Sequence, residues 1–415
     1  MSRSEATVSA SQPIPGLDAG RRARATAFAC MIGLAVALGV GRFAFTPLLP
    51  LMLADGSVDL KAGGWLASAN YAGYFVGAMS CEALRVAPAR MIRFGLAATV
   101  LLTVAMGVGL ALPAWLGARF AAGVVSAWTF VFVSQWGLRR LAELHAIAWG
   151  GVIYTGPGIG IVLTGLAGSA LAGHRAALGW LGFAALAAVL SAAIWRVFGA
   201  QPFAAPPAGA AHPHDARAPA TPQRGRADAF WLVTLYALPG FGYIVTATFL
   251  PVIARAALPG GSPWPDLFWP MFGAALIPGA LVAARLPARW NNRMLLAAGC
   301  LLQAVGIVAG IVWPTAAGFA LGSVLIGLPF TAITLFAMRE ARRLRGERAA
   351  GLMGYVTAAY GIGQIAGPLV AAPLAAHSGS FSGALWLAAA ALLVGSAGFA
   401  AVSRRTRRQP CGQCR

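Results

Sequence analysis

Apolar residues run unbroken for about twenty positions at a time along this chain, and charged residues gather in the short breaks between the runs. About 20 apolar residues in a helix span the roughly 30 Å of bilayer hydrocarbon, whereas barrel strands alternate apolar and polar positions. The runs show no period of two, so they read as transmembrane helices. They predict twelve, over residues 25–54, 62–84, 91–111, 114–138, 146–172, 176–199, 229–254, 267–284, 294–313, 315–338, 349–373 and 382–402. The breaks before the fourth, sixth and tenth rest on Pro113, on His174 with Arg175, and on Pro314, which leaves counts of eleven or thirteen open.

Residues 200–228 interrupt the pattern with Pro202, Pro206, Pro207, Pro213, Pro219 and Pro222, scattered arginines and almost no large apolar side chains, the composition of a solvated linker. The expected organisation is a tail over 1–24, a six-helix bundle over 25–199, the linker 200–228, a second six-helix bundle over 229–403 and a basic tail over 404–415. The halves also resemble each other. Gly39, Gly41, Leu49 and Pro50 recur 201 positions later as Gly240, Gly242, Leu250 and Pro251. Pro88-Ala89-Arg90 recurs as Pro287-Ala288-Arg289, and Gly158-Ile159-Gly160 as Gly361-Ile362-Gly363. Three matches in the same order predict a parallel repeat, the architecture of rocking carriers whose binding site lies near the midplane between the halves. The fold class expected is an all-α membrane protein of two pseudo-symmetric six-helix bundles.

Composition agrees: 59% hydrophobic residues, 10% charged residues and a mean hydropathy of +0.73 exclude a single aqueous globule. A net charge of +20 would point to nucleic acid in a soluble protein, but here its distribution decides. With the N-terminus assigned to the cytoplasm, 26 of the 31 lysines and arginines fall in tails, loops and adjoining helix ends on that side. Only Lys61, Arg175 and Arg255 fall outside, and Arg42 and Arg119 fall within helices. Both termini are therefore expected in the cytoplasm of a bacterium, with the chain in its inner membrane and nucleic acid excluded as a partner. The first apolar run is about twice a signal-peptide core in length and no cleavage pattern follows it, so it reads as a retained helix.

The cysteines, at 30, 81, 300, 411 and 414, lie in helices or the cytoplasmic tail, and the Cys411/Cys414 spacing lacks the second pair a zinc site needs. No metal or cofactor is expected. Gly156-Pro157-Gly158-Ile159-Gly160 follows no strand and precedes no Gly-Lys-Ser/Thr, so it is not a phosphate loop, and no catalytic cluster points to an enzyme.

Arg42 is the most informative residue. A guanidinium at membrane depth costs roughly 3 kcal/mol on insertion scales, so it marks a pathway or a site. Arg119, on the fourth helix, falls at comparable depth. Polar residues near the midplane extend the candidate substrate site: Thr46, Asn70, Tyr71 and Tyr74 in the first half, Tyr243, Thr246, Thr248, Tyr360 and Gln364 in the second. The competing reading has the arginines bonding backbone carbonyls freed near Gly39, Gly41, Pro47 and Pro50, and the tyrosine hydroxyls bonding helix to helix. Gly39, Gly41, Pro47, Pro50, Gly156, Pro157, Gly367 and Pro368 are the hinge or gating candidates. Glu82 is the one acid read as embedded in a span and the candidate proton carrier, with snorkelling or pairing to Arg85 as its alternative. Exchange of one anion for another would need no carboxylate.

Gly39-Val40-Gly41-Arg42-Phe43-Ala44-Phe45-Thr46-Pro47-Leu48-Leu49-Pro50, Gly64 to Tyr74, and Tyr360-Gly361-Ile362-Gly363-Gln364-Ile365-Ala366-Gly367-Pro368 together resemble the YbfB/YjiJ-type group of the major facilitator superfamily. That resemblance implies a secondary carrier working by alternating access, with helices 1, 4, 7 and 10 lining the cavity and both arginines facing it. Arg119 to Gly123 resembles the superfamily's fourth-helix element, and Gly151 to Gly160 partly resembles a fifth-helix element of exporters. The Asp-Arg signature between helices 2 and 3 is degraded, with Arg85, Arg90 and Arg93 but no aspartate. The expected function is transport of a small organic solute, anionic if the arginines contact it, with efflux favoured over uptake and a receptor without flux as the remaining alternative. The expected partners are that solute, the bilayer and protons as a coupling ion, with the chain acting as a monomer.

Overall fold

The computed structural model describes residues 15–109, 111–199, 222–287, 289–346 and 349–407. The two tails, most of the linker and the Cys411/Cys414 pair lie outside the described residues. Twelve helical rods are present, and no strand occurs among the described residues. Helix α1 runs as Pro15–Leu34, widens into a π-helical stretch Ala35–Phe43 and resumes as Phe45–Ala54. It is followed by α2 (Leu60–Ser80), α3 (Pro88–Gly107) and α4 (Leu112–Glu143). Helix α5 comes in two pieces, Gly150–Ile153 and Gly156–Ala170, and α6 spans Ala176–Ile194. The second half contains α7 (Pro222–Ala257), α8 (Trp264–Arg285) and α9 (Asn292–Val312). It ends with α10, in pieces Ala316–Gly327 and Phe330–Arg345, then α11 (Ala349–Ser378) and α12 (Ser382–Arg407).

Several helices outrun the apolar pattern, as where α4 continues to Glu143 and α10 to Arg345. Hydropathy marks where the hydrocarbon ends, but backbone hydrogen bonding continues into water with arginines on the last turns. Eleven of the rods are long and apolar enough to cross a membrane. The exception, α2, carries Ser68, Asn70, Tyr71 and Tyr74 among small residues, which lowers its hydropathy while suiting it to a helix-lined interior.

The two halves meet along α2 against α11, α5 against α8, and the far end of α1 against α7. The sequence repeat is visible in that packing. A Cβ built on Gly39 would lie 2.5 Å from the Cα of Gly160 on α5, and its counterpart Gly240 abuts the Tyr360 carbonyl on α11 in the same way. Gly158 packs against the Gly273 carbonyl and Ile277 of α8, and its counterpart Gly361 packs against Phe75 of α2. Equivalent glycines thus serve equivalent crossings, inside each half and between the halves. Pro157 sits in the first turn of the second α5 piece, where a missing N–H costs nothing, so the helix restarts there instead of kinking.

At the end of the bundle where α1 begins, Glu340 of α10 is fully buried and clamped by Arg293 of α9 at 2.6 Å and Arg343 at 2.6 Å, while Asp228 of α7 takes the other side of Arg293 at 2.7 Å. This corrects the expectation that Glu82 is the acid embedded in a span. Glu82 is exposed on a 3-10 turn, Cys81–Ala83, beyond the end of α2. The positions 200 residues before Arg293, Glu340 and Arg343 hold Arg93, Arg140 and Glu143, so the acid and base of the last pair are exchanged. In this half Arg140 pairs with Glu143 at 2.9 Å, and Arg93 donates to the Trp195 carbonyl.

Gly39→Val is expected to destabilise the protein by ~1–3 kcal/mol through overpacking. Its Cβ meets backbone on Gly160, which cannot swing aside. The check is the melting temperature of detergent-purified protein, with Gly351→Ala, which meets nothing within 4 Å, as the control that is not lowered.

Candidate functional site

All nine residues of the π-helical stretch Ala35–Phe43 are buried. Widening a helix disturbs its hydrogen-bond ladder, and in hydrocarbon the freed carbonyls need partners from the protein. Ser126 of α4 donates to the Ala37 carbonyl at 2.7 Å. Asn70 of α2 donates from Nδ2 to the Gly41 carbonyl at 3.4 Å and to the Arg119 carbonyl at 3.0 Å. Arg119 itself sends Nη1 to the Gly41 carbonyl at 3.4 Å and Nη2 to the Arg42 carbonyl at 3.2 Å, with its guanidinium over the Phe45 ring at 4.9 Å. Gly41 makes room for this bracing, since a Cβ there would collide with Ser126 Oγ.

So held, α1 points Arg42 toward the second half. Its Nη2 donates to Gln364 Oε1 of α11 at 2.9 Å, and Gln364 Nε2 donates to the Tyr243 hydroxyl of α7. The guanidinium carbon lies 4.0 Å from the Tyr74 ring centroid and 5.1 Å from that of Tyr71. Such faces attract a cation through the ring quadrupole. Tyr71 shares a hydrogen bond with Thr248 Oγ1 at 2.9 Å. Tyr360 stacks on Tyr243 with centroids 5.8 Å apart, and Phe330 of α10 meets Tyr243 edge to face with centroids 5.0 Å apart. Arg42, Tyr71, Tyr243, Thr248 and Gln364 are buried, whereas Tyr74 and Tyr360 are half-buried. Arg42 Nε has no hydrogen-bond partner, and neither Arg42 nor Arg119 has a carboxylate within ion-pair reach among the described residues.

Seven of the predicted residues, Arg42, Tyr71, Tyr74, Tyr243, Thr248, Tyr360 and Gln364, therefore form one cluster across the two halves. Thr46 bridges the halves next to it, donating to the Ala247 carbonyl at 3.0 Å, its own repeat partner 201 positions away. Asn70 and Arg119 stand behind α1 as braces, which corrects the expectation that both guanidiniums face one space. Thr246 lies apart, its hydroxyl unpartnered beside a small crevice lined with Gly306, Gly310, Gly322 and Ser323. Among the hinge candidates, Gly156 abuts the Met31 carbonyl, Gly367 abuts Ile244, and the Pro368 carbonyl lies against Gly64 across the halves. Pro47 packs under Gly168, and Pro50 sits inside the last piece of α1.

Sequence reading missed Ser68, which donates to the Ile365 carbonyl at 2.9 Å across the halves, and Ser126. It also missed the aromatic wall of Phe43, Trp269 and Phe330, whose ring centroids lie 6.0 and 6.3 Å from that of Phe43. Serine and phenylalanine are too common in helices to signal a role by spacing. Beyond the cluster, toward the end where α1 finishes, a cleft of about 850 Å³ opens between the halves, bordered by Leu51, Asp55, His174, Arg175 and the Arg255–Asp266 ion pair.

Three comparisons bear on this arrangement. A curated relative named "Chloramphenicol resistance protein", from Streptomyces lividans, is 29% identical over 386 residues, covering 86% of this chain and 92% of the relative. A solved structure of a point mutant of the nucleoside transporter NupG matches the fold with a TM-score of 0.69 at 13% identity, over 91% of this chain and 99% of that one. Residues 34–399 match the family model described as "Uncharacterised MFS-type transporter YbfB". The chain belongs to this YbfB-type family of the major facilitator superfamily, whose members are membrane transporters and not enzymes.

Proposed function

We propose that this transporter moves a small organic anion out of the cell by alternating access, with the substrate held at the Arg42 cluster between the halves. The observation that carries this reading is the state of Arg42: buried, bonded to the neutral Gln364, stacked on tyrosine faces and unmatched by any described carboxylate. A buried charge is costly without a partner, and a carboxylate, sulfonate or phosphate would supply one through bidentate hydrogen bonds. Tyr243, Tyr71 and Thr248 add hydroxyls, and Tyr74 adds a half-buried ring.

Export is supported by the Streptomyces relative, whose name describes resistance, and by the glycine and proline pattern of α5. The distribution of arginines supports a bacterial inner membrane with both termini and the linker 200–228 cytoplasmic, joining bundles 25–199 and 229–403. Rocking of those bundles about the α2–α11 and α5–α8 contacts would expose the cluster to either side in turn.

The two arginines separate in their expected effects. Arg42→Gln removes an unmatched buried charge, so anion affinity falls by at least about tenfold while the melting temperature holds or rises. Arg119→Gln loses the donors to the Gly41 and Arg42 carbonyls and lowers both, by ~1–3 kcal/mol in stability for groups left unpaired. Binding by isothermal titration and thermal unfolding in detergent read the two quantities separately. Unchanged anion affinity in Arg42→Gln refutes substrate contact.

Gln364→Glu places a carboxylate where Oε1 now lies 2.9 Å from Arg42 Nη2. It is expected to compete with the solute and lower anion affinity by at least about tenfold, an intramolecular ion pair replacing the bound one. Flux in proteoliposomes measures it, and transport at the unaltered rate would exclude Gln364 from the site.

A further inference from the structure

The placement of charge also bears on what drives transport, an inference that rests on the Arg42 cluster being the substrate site. Every acid whose side chain is described lies near an end of the bundle. Asp55 and Asp59 lie between α1 and α2, Glu82 follows α2, Glu143 ends α4, Asp228 lies early in α7 and Asp266 in the first turn of α8. Glu340 is buried but held by Arg293 and Arg343 near the end of α10.

The groups bearing on Arg42 are Gln364, Phe43, Tyr71, Tyr74, Tyr243 and Tyr360, with Arg119 behind it, and those bearing on Arg119 are two backbone carbonyls, Phe45, Tyr71 and Arg42. Tyrosine ordinarily ionises near a pH of about 10, far above working conditions. The cluster thus joins two fixed positive charges, one facing the opposite half and one directly behind it, with no group that takes up a proton in the neutral range.

Each passage of an alternating-access carrier goes through a closed arrangement in which the site is shut off from water on both sides. With an anion bound, the guanidinium charge is matched as water leaves. Without one, unmatched cations must be buried, and desolvation raises the barrier. A carrier with a carboxylate in the site could match the charge internally on the empty return, but here none of the described acids is close enough.

We infer that this protein is an obligatory anion exchanger. The empty form does not return at a useful rate, so one anion leaves as another of like charge enters, with no proton moved. The bound anion is then both cargo and the counter-charge that permits the conformational change.

The test uses the purified full chain in proteoliposomes loaded with radiolabelled benzoate, succinate or glycerol 3-phosphate, three anions with different headgroups. For at least one, efflux is expected to rise at least about tenfold when the same unlabelled anion is present outside, the scale of a modest barrier difference between loaded and empty forms. It should be indifferent to an imposed pH gradient and to an uncoupler, and Arg42→Gln should abolish the stimulation. Protein-dependent efflux that runs equally fast into anion-free buffer, or that follows the pH gradient, overturns exchange and leaves the anion-carrier reading standing. No protein-dependent flux of any of the three overturns both.

Discussion

Carbonyl groups inside a membrane have no water to turn to, and that constraint organises the centre of this protein. Where α1 widens over Ala35–Phe43, Ser126, Asn70 and Arg119 reach in from α4 and α2 to satisfy the Ala37, Gly41 and Arg42 carbonyls. The widened turn is thereby fixed against its own half. Arg42, at the end of that turn, is left to face the other half, and several hydrogen bonds that join the halves gather around it.

The two arginines look alike in sequence and differ in duty. Arg119 spends its Nη donors on backbone oxygens, which makes it part of the scaffold. Arg42 bonds an amide of the other half and lies on aromatic faces, with no described carboxylate beside it. Its repeat counterpart, 201 positions on, is Tyr243, and Gln364 links the two. The pseudo-symmetry of the halves therefore brings unlike chemistry face to face: a cation from one, hydroxyls and an amide from the other. The far ends of the halves differ too, with Glu340 buried in an ion-pair cluster in one, and in the other a more exposed Glu143 paired with Arg139 and Arg140 while Arg93 donates to the Trp195 carbonyl.

Family membership and geometry meet at this point. The YbfB-type match covers residues 34–399 and says that the chain is a transporter, while the likeness to NupG concerns the fold. The geometry adds what is local: a cluster between the halves carrying positive charge and hydroxyls, with the described acids all near the ends of the helices.

Much of this was legible in the chain. The helical runs and the glycine repeats follow from the length of hydrocarbon to be crossed and from the close approach that only glycine permits, both of which act residue by residue along a helix. Arg42 was legible as well, because a charge within an apolar run is costly wherever it points. Direction was not. Which carbonyls the π-helical turn frees, and hence that Arg119 braces while Arg42 faces the other half, depends on how α2 and α4 pack behind α1. The true depth of Glu82 and Glu340 was hidden for a related reason: helix ends extend past the apolar pattern, and only the packing of α7, α9 and α10 buries Glu340 between two arginines. Local composition settles which segments enter the membrane; partners distant in sequence settle which face each side chain meets.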